Sequence, residues 1–207
     1  MLQVSNLSLI YGRKPIVQSA TFSIPSKGAF LILGDNGAGK TTLLKGLARL
    51  VRRKGDITWN NSPLTDQVAV AFDDNSIHER LTGLQNLSIL LDIPPSQLGK
   101  HAVVKDFLPA DVLRKKTSSY SLGQRKKLKL AAAFSAKQPC ILLDEPLSGL
   151  DDVGRLAFRR ALDSAAVSSC VVIAEHDRAF YGDLTSAAYL LRRGKVVRLH
   201  DQPESEA

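Results

Sequence analysis

Eight consecutive residues could grip a polyphosphate: Gly34-Asp35-Asn36-Gly37-Ala38-Gly39-Lys40-Thr41. They fit the pattern G-x-x-x-x-G-K-[ST] and sit between an apolar run, Phe30 to Leu33, and a segment of helical spacing. Glycines let the backbone curl until successive N–H groups point into one concave nest. The helix predicted from about Lys40 adds the positive end of its dipole. Gly34, Asn36, Gly37, Ala38, Gly39, Lys40, Thr41 and Thr42 are the expected phosphate contacts. Lys40 brings a point charge for the β- and γ-phosphates, and the Thr41 hydroxyl can ligate Mg²⁺. A second acidic element follows the apolar run Cys140-Ile141-Leu142-Leu143, as Asp144-Glu145. Asp144 would hold Mg²⁺, and Glu145 would polarise an attacking water as general base. The two elements together imply nucleoside triphosphate hydrolysis or phosphoryl transfer.

These residues need strand ends and helix starts to hold them. Leu2 to Ile10, Ala20 to Ile24, Phe30 to Leu33, Gly55 to Trp59 and Val68 to Phe72 read as strands. Thr41 to Val51 places Leu43, Leu44, Leu47, Leu50 and Val51 at helical spacing. Residues 73–136 change character, with helical stretches, a Pro94-Pro95 break and a Lys/Arg-rich helix from about Leu122. Strand and helix return with Ile141 to Leu143, Val153 to Ala165 and Cys170 to Ala174. Ala187 to Leu191 and Lys195 to Leu199 form a final hairpin about Arg193-Gly194. The alternation predicts one α/β domain over residues 1–207, of P-loop NTPase type. Its sheet is mainly parallel, with antiparallel β elements at the N-terminal end and a helical subdomain inserted at about 73–136.

The chain resembles the ATP-binding-cassette ATPases over nearly its whole length. Tyr120-Ser121-Leu122-Gly123-Gln124 is similar to the family's signature motif, Leu-Ser-Gly-Gly-Gln, and a basic helix follows it. Ser148-Gly149-Leu150-Asp151 resembles the D-loop, and His176 the switch histidine. Tyr11 resembles the aromatic residue that stacks on adenine. The resemblance implies ATP and Mg²⁺ as ligands and two cassettes closing head to tail. Ser121, Leu122, Gly123 and Gln124 would then face the partner's ATP, Asp151 would join the contact, and His176 would reach the γ-phosphate.

Two departures stand out. Leu122 replaces a signature glycine and is expected to restrict the backbone and crowd the nucleotide. No glutamine stands where the family's Q-loop has one; Asp74 is the nearest match, an oxygen donor that could ligate Mg²⁺.

The resemblance further implies a transporter subunit with a separate membrane permease, docked by residues 73–136 with Ile77, Leu81 and Ile89 as candidate contacts. Size and the segment from Asp73 to Leu87 look most like small exporter cassettes of the cytochrome c biogenesis haem-exporter type. The second cassette is expected to be an identical copy, with a heterodimer left open. The expected location is cytoplasmic, peripheral to the inner membrane. A soluble cassette ATPase of iron–sulfur assembly or ribosome work is the alternative, and a small P-loop kinase a more distant one.

Composition bounds these readings. At 207 residues, a chain with 44% apolar and 23% charged residues can bury a core without disulfides or metal staples. No charge-free stretch, Leu81 to Leu91 and Ser164 to Ala174 included, reaches the ~20 residues a spanning helix needs. Met1 to Ser5 does not start a secretory signal. Cys140 and Cys170 are expected as buried thiols. Net charge is +8, distributed as +6 in residues 1–72, +4 in 73–136 and −2 in 137–207. The basic clusters Arg52-Arg53-Lys54 and Arg114-Lys115-Lys116 lack interleaved aromatics, so nucleic acid is not an expected partner. The surplus of 73–136 has no assigned role; an anionic membrane surface is one candidate.

Overall fold

A computed structural model describes residues 1–12, 14–64, 67–73, 77–98, 101–176 and 178–199. The strands are β1 (Leu2–Tyr11), β2 (Lys14–Ile24), β3 (Gly28–Leu33), β4 (Arg53–Trp59), β5 (Ser62–Pro63), β6 (Val68–Ala71), β7 (Cys140–Asp144), β8 (Cys170–Glu175), β9 (Ala187–Arg192) and β10 (Lys195–Leu199). The helices are α1 (Lys40–Leu47), α2 (Gly83–Leu91), α3 (Pro95–Leu98), α4 (Ala102–Phe107), α5 (Ala110–Leu113), α6 (Leu122–Ser135) and α7 (Asp152–Ala166).

Two sheets form. The larger has the order β10-β9-β3-β8-β7-β6, parallel from β9 to β6, with β10 antiparallel at one edge. The smaller is antiparallel, in the order β2-β1-β4-β5. This is the expected architecture: a mainly parallel sheet with N-terminal antiparallel β elements.

The period of two along each strand divides the core. Ala29, Leu31 and Leu33 of β3 join a cluster with α6 and α7, whereas Phe30 and Ile32 join one with α1 and the antiparallel sheet. Ile141 and Leu143 likewise face one way, Cys140 and Leu142 the other. Such continuous apolar strands are those of a sheet covered on both faces. Cys140 and Cys170 are buried free thiols opposed in register on β7 and β8.

Helices α2 to α6 lie between β6 and β7. α1 is shorter than its apolar spacing suggested: it stops at Leu47, and Arg49 adopts a left-handed φ of 61°. Parallel order brings the C-terminal ends of β3, β7, β8 and β6 to one rim, the usual place for a ligand in open α/β sheets. Gly34, Asp144 and His176 all lie on it.

Candidate functional site

The loop after β3 turns through left-handed Gly37 and Gly39. Gly39, at φ 101°, is the cap position of α1 and provides no capping side chain, so the helix's first N–H groups stay open to a ligand. A Cβ on Gly39 would lie 2.1 Å from Ile16 of β2. That close approach seats the β1–β2 hairpin, with Tyr11 72% exposed on it, over the loop. Asn36 and Gly37 are exposed, and Ala38 and Thr42 half-buried. Lys40 is buried, and its Nζ donates to the Gly34 and Asp35 carbonyls at 2.7 and 3.2 Å.

Thr41 Oγ1 donates to Asp144 Oδ2 at 2.8 Å, joining elements 103 residues apart. The other carboxylate oxygen, Asp144 Oδ1, is buried without a hydrogen-bond partner. Burial pushes the Asp144 carboxyl above its ordinary range, against the pull of the Thr41 hydrogen bond. An unpaired buried oxygen beside a hydroxyl suits a hard cation, and Mg²⁺ is commonly held by one or two carboxylates plus substrate phosphates. The residues therefore fit Mg²⁺. Asp74, the third expected ligand, lies outside the described residues.

Glu145 follows Asp144 with a left-handed φ of 42°, costly for a residue with a side chain. Its N–H donates to the Ala174 carbonyl, which holds the bend against β8. The bend turns Glu145 into a cavity of about 260 Å³ shared with Ser148, Arg155, Glu175, His176 and Phe180. The two expected catalytic groups, Glu145 and His176, thus line one cavity. Sequence reading missed Glu175, whose buried carboxylate lies 3.4 Å from His176 Nδ1 and accepts the Tyr181 hydroxyl at 3.2 Å. Burial raises the Glu175 carboxyl and Tyr181 hydroxyl. Its signal was an acid closing an otherwise apolar strand.

Ser121 caps α6. Its hydroxyl accepts the Gln124 N–H at 3.2 Å, and Gln124 Oε1 accepts the Ser121 N–H at 3.0 Å. This reciprocal capping box leaves the Ser121 O–H free to donate outward. Leu122 corrects the backbone part of an expectation. It occupies the first helical position with no left-handed φ, so a side chain there does not restrict the backbone; it points outward, 86% exposed. Gly123 carries a different constraint: an added Cβ would stand 2.7 Å from the Gly149 carbonyl oxygen. Asp151 caps α7 through the Gly154 N–H at 2.7 Å and pairs with Lys127 at 2.7 Å. The Lys127 hydrogen bond, with that from Gly154, lowers its carboxyl.

Four cations of α6 have partners inside the chain. Arg125 pairs with Glu79 at 2.7 Å, Lys126 with Asp73 at 2.8 Å and Lys127 with Asp151; Lys129 donates to the Phe72 and Asp73 carbonyls. Two of these pairs use acids of residues 73–136 and leave their +4 unchanged, and Lys127 reaches Asp151 outside that stretch, so the surplus is only slightly reduced by pairing. Lys126 and Lys129 were missed as site residues, although the helical period puts Lys126 on the stripe of Leu130 and Ala133.

The sequence model described as "ABC transporter" matches residues 17–148. The bacitracin transport ATP-binding protein BcrA of Enterococcus faecalis is 28% identical over 210 residues, covering 95% of this chain and 68% of that protein. The lantibiotic transport ATP-binding protein SrtF of Streptococcus pyogenes is 23% identical, covering 100% and 93%. The cobalt import ATP-binding protein CbiO of Salmonella typhimurium is 28% identical, covering 95% and 79%. A dimeric ATP-binding cassette solved in a post-hydrolysis state with ADP and Pi shares the fold, with TM-score 0.82 and 19% identity over 95% of this chain and 96% of that one.

Proposed function

The chain belongs to the ABC transporter family as one of its ATP-hydrolysing cassettes, and from that premise we propose that it powers export through a separate membrane permease. The hydrogen bond between Thr41 and Asp144 carries the chemical reading, because it joins the phosphate-binding loop to the second acidic element. ATP stacks its adenine on Tyr11 and lays its phosphates in the Gly34–Thr42 loop. Lys40 exchanges the Gly34 and Asp35 carbonyls for the β- and γ-phosphates. Thr41 and Asp144 would hold Mg²⁺, which would supply positive charge to offset the charge that builds on the phosphates during transfer. Glu145 takes a proton from the attacking water as the water oxygen bonds to the γ-phosphorus and the bond to the β–γ bridging oxygen breaks. His176 orients that water and donates to the γ-phosphate, held at Nδ1 by Glu175.

In this reading two copies close so that Ser121 to Gln124 of each face the other's ATP, with Asp151 at the contact. Residues 73–136 act as the helical subdomain that meets the permease. Support comes from α2, which leaves Ile89 60% and Leu90 52% exposed, while Ile77 and Leu81 are half-buried. Among the described residues no helix is long and apolar enough to cross a membrane, consistent with a peripheral subunit on the cytoplasmic face. The exporter direction is supported by the bacitracin and lantibiotic relatives. The finer reading, a haem-exporter type of cassette, rests on the segment from Asp73 to Leu87 and on size; rescue of cytochrome c maturation in a deletion strain tests it. The non-transport alternative has less support, since the clusters Arg52-Arg53-Lys54 and Arg114-Lys115-Lys116 lack interleaved aromatics.

Two measurements test the proposal. Phosphate release from MgATP by the purified protein tests the hydrolysis step. A tagged pull-down from detergent-solubilised membranes, read by mass spectrometry, should recover a polytopic membrane protein. Salt-sensitive capture of RNA or DNA with no such partner would favour the alternative.

A further inference from the structure

Lys126 lies in the second turn of α6, and only 6% of it is exposed. Its Nζ donates to the Asp73 carboxylate at 2.8 Å and to the Asp144 carbonyl at 3.1 Å. One ammonium thus touches the residue two beyond β6 and the last residue of β7, while its own helix begins at the Ser121 cap. Lys129, almost one turn later, grips the same place through the Phe72 and Asp73 carbonyls. An apolar side chain of similar size could fill this position without the cost of taking a charge out of water. A buried lysine here therefore calls for a reason other than packing. Asp73, although paired, keeps its side chain 75% exposed, beside a cavity of about 450 Å³ also lined by Leu122, Arg125, Lys129 and Gly149. The pair can respond to events in that cavity while Lys126 stays anchored to β7.

We propose that Lys126 is a positioning residue for hydrolysis: held in place by Asp73, it ties the helix bearing Ser121 to the main chain that aims Asp144. The assignment rests on the ATPase reading above. Each cassette's signature helix then moves with its own acidic strand end, so closure upon a partner's ATP is felt at the metal-binding carboxylate of the same chain. Lys126 acts through the Asp73 carboxylate and the Asp144 carbonyl. Its contribution falls on turnover and leaves nucleotide capture nearly intact.

The test compares wild type, Lys126→Met, Lys126→Arg, Asp73→Asn and the double variant Lys126→Met/Asp73→Asn. ATP affinity is read with a fluorescent ATP analogue without metal, turnover by phosphate release, and folding by circular dichroism. Lys126→Met should lower kcat about tenfold or more with affinity within about twofold, and Lys126→Arg should recover most of the loss. Asp73→Asn should lower kcat in the wild-type background and have little further effect once Lys126 is methionine. Equal kcat for wild type and Lys126→Met overturns the inference, as does a loss that Lys126→Arg fails to recover or that follows ATP affinity. Should Lys126→Met fail to fold, exposed Asp73→Asn decides alone: unchanged kcat overturns the inference, and reduced kcat at unchanged affinity supports it. Absence of phosphate release from wild type would instead sink the ATPase reading.

Discussion

Gly123 of the signature segment and Gly149 of the loop before α7 meet so closely that a Cβ on the first would stand 2.7 Å from the carbonyl oxygen of the second. Glycine at 123 is thus required by close packing inside one chain, before any partner is considered. Gly123→Ala should push the two segments apart and cost about 1–3 kcal/mol of stability, the usual range for overpacking. Urea unfolding checks this: the midpoint should fall. An unchanged midpoint would show that the two loops part freely.

Glu145 is held at the end of β7 in a left-handed bend, beside His176. Glu145→Gln keeps the shape and removes the proton acceptor. Phosphate release should fall by about 10²–10⁴-fold, the usual contribution of a general base. With the release step blocked, size-exclusion chromatography in saturating MgATP should show a dimer. A variant that stays monomeric there would argue against the identical pair.

Asp144 combines a buried, unpartnered oxygen with a carboxyl that burial pushes upward. Its ionised form is a burden until a cation shares it. Asp144→Asn should therefore melt no lower than wild type when metal is removed with EDTA, and lose most of the thermal stabilisation that MgATP gives wild type. Equal MgATP stabilisation of both proteins would remove Asp144 from the metal site.

Glu175 supplies a pH dependence whose sign follows from its burial. A carboxyl raised in the folded chain binds protons more readily there than in the unfolded chain. Its favourable effect is complete below the ordinary carboxylate pKa and is lost as pH rises through the folded value. Stability of wild type relative to Glu175→Gln should accordingly decline across that window. Denaturant midpoints of the two proteins at pH 4 to pH 8 measure the difference; parallel curves would contradict it.

Some of this was legible along the chain. The phosphate-binding loop and the paired acids Asp144-Glu145 could be read because each is a short local pattern at a strand end, and glycine-rich turning is a property of adjacent residues. The strand and helix alternation predicted the α/β architecture for the same reason. The backbone restriction expected at Leu122 does not arise, because the first turn of α6 accepts a side chain there. The four α6 cations could be read as the basic helix that follows the signature segment, but their partners could not.

What the sequence offered by itself was the chemistry available: a candidate phosphate nest at Gly34 to Thr41, a candidate metal-binding acid in Asp144, a candidate base in Glu145, and a serine, Ser121, ahead of a basic helix. What the tertiary structure decided was how those parts are tied together. Lys126 finds Asp73 across 53 residues, and Thr41 finds Asp144 across 103. Such partners are set by sheet order, which places β6 beside β7 and β8 beside β3. A hydrogen bond depends on distance and angle in space, and separation along the chain carries no information about either.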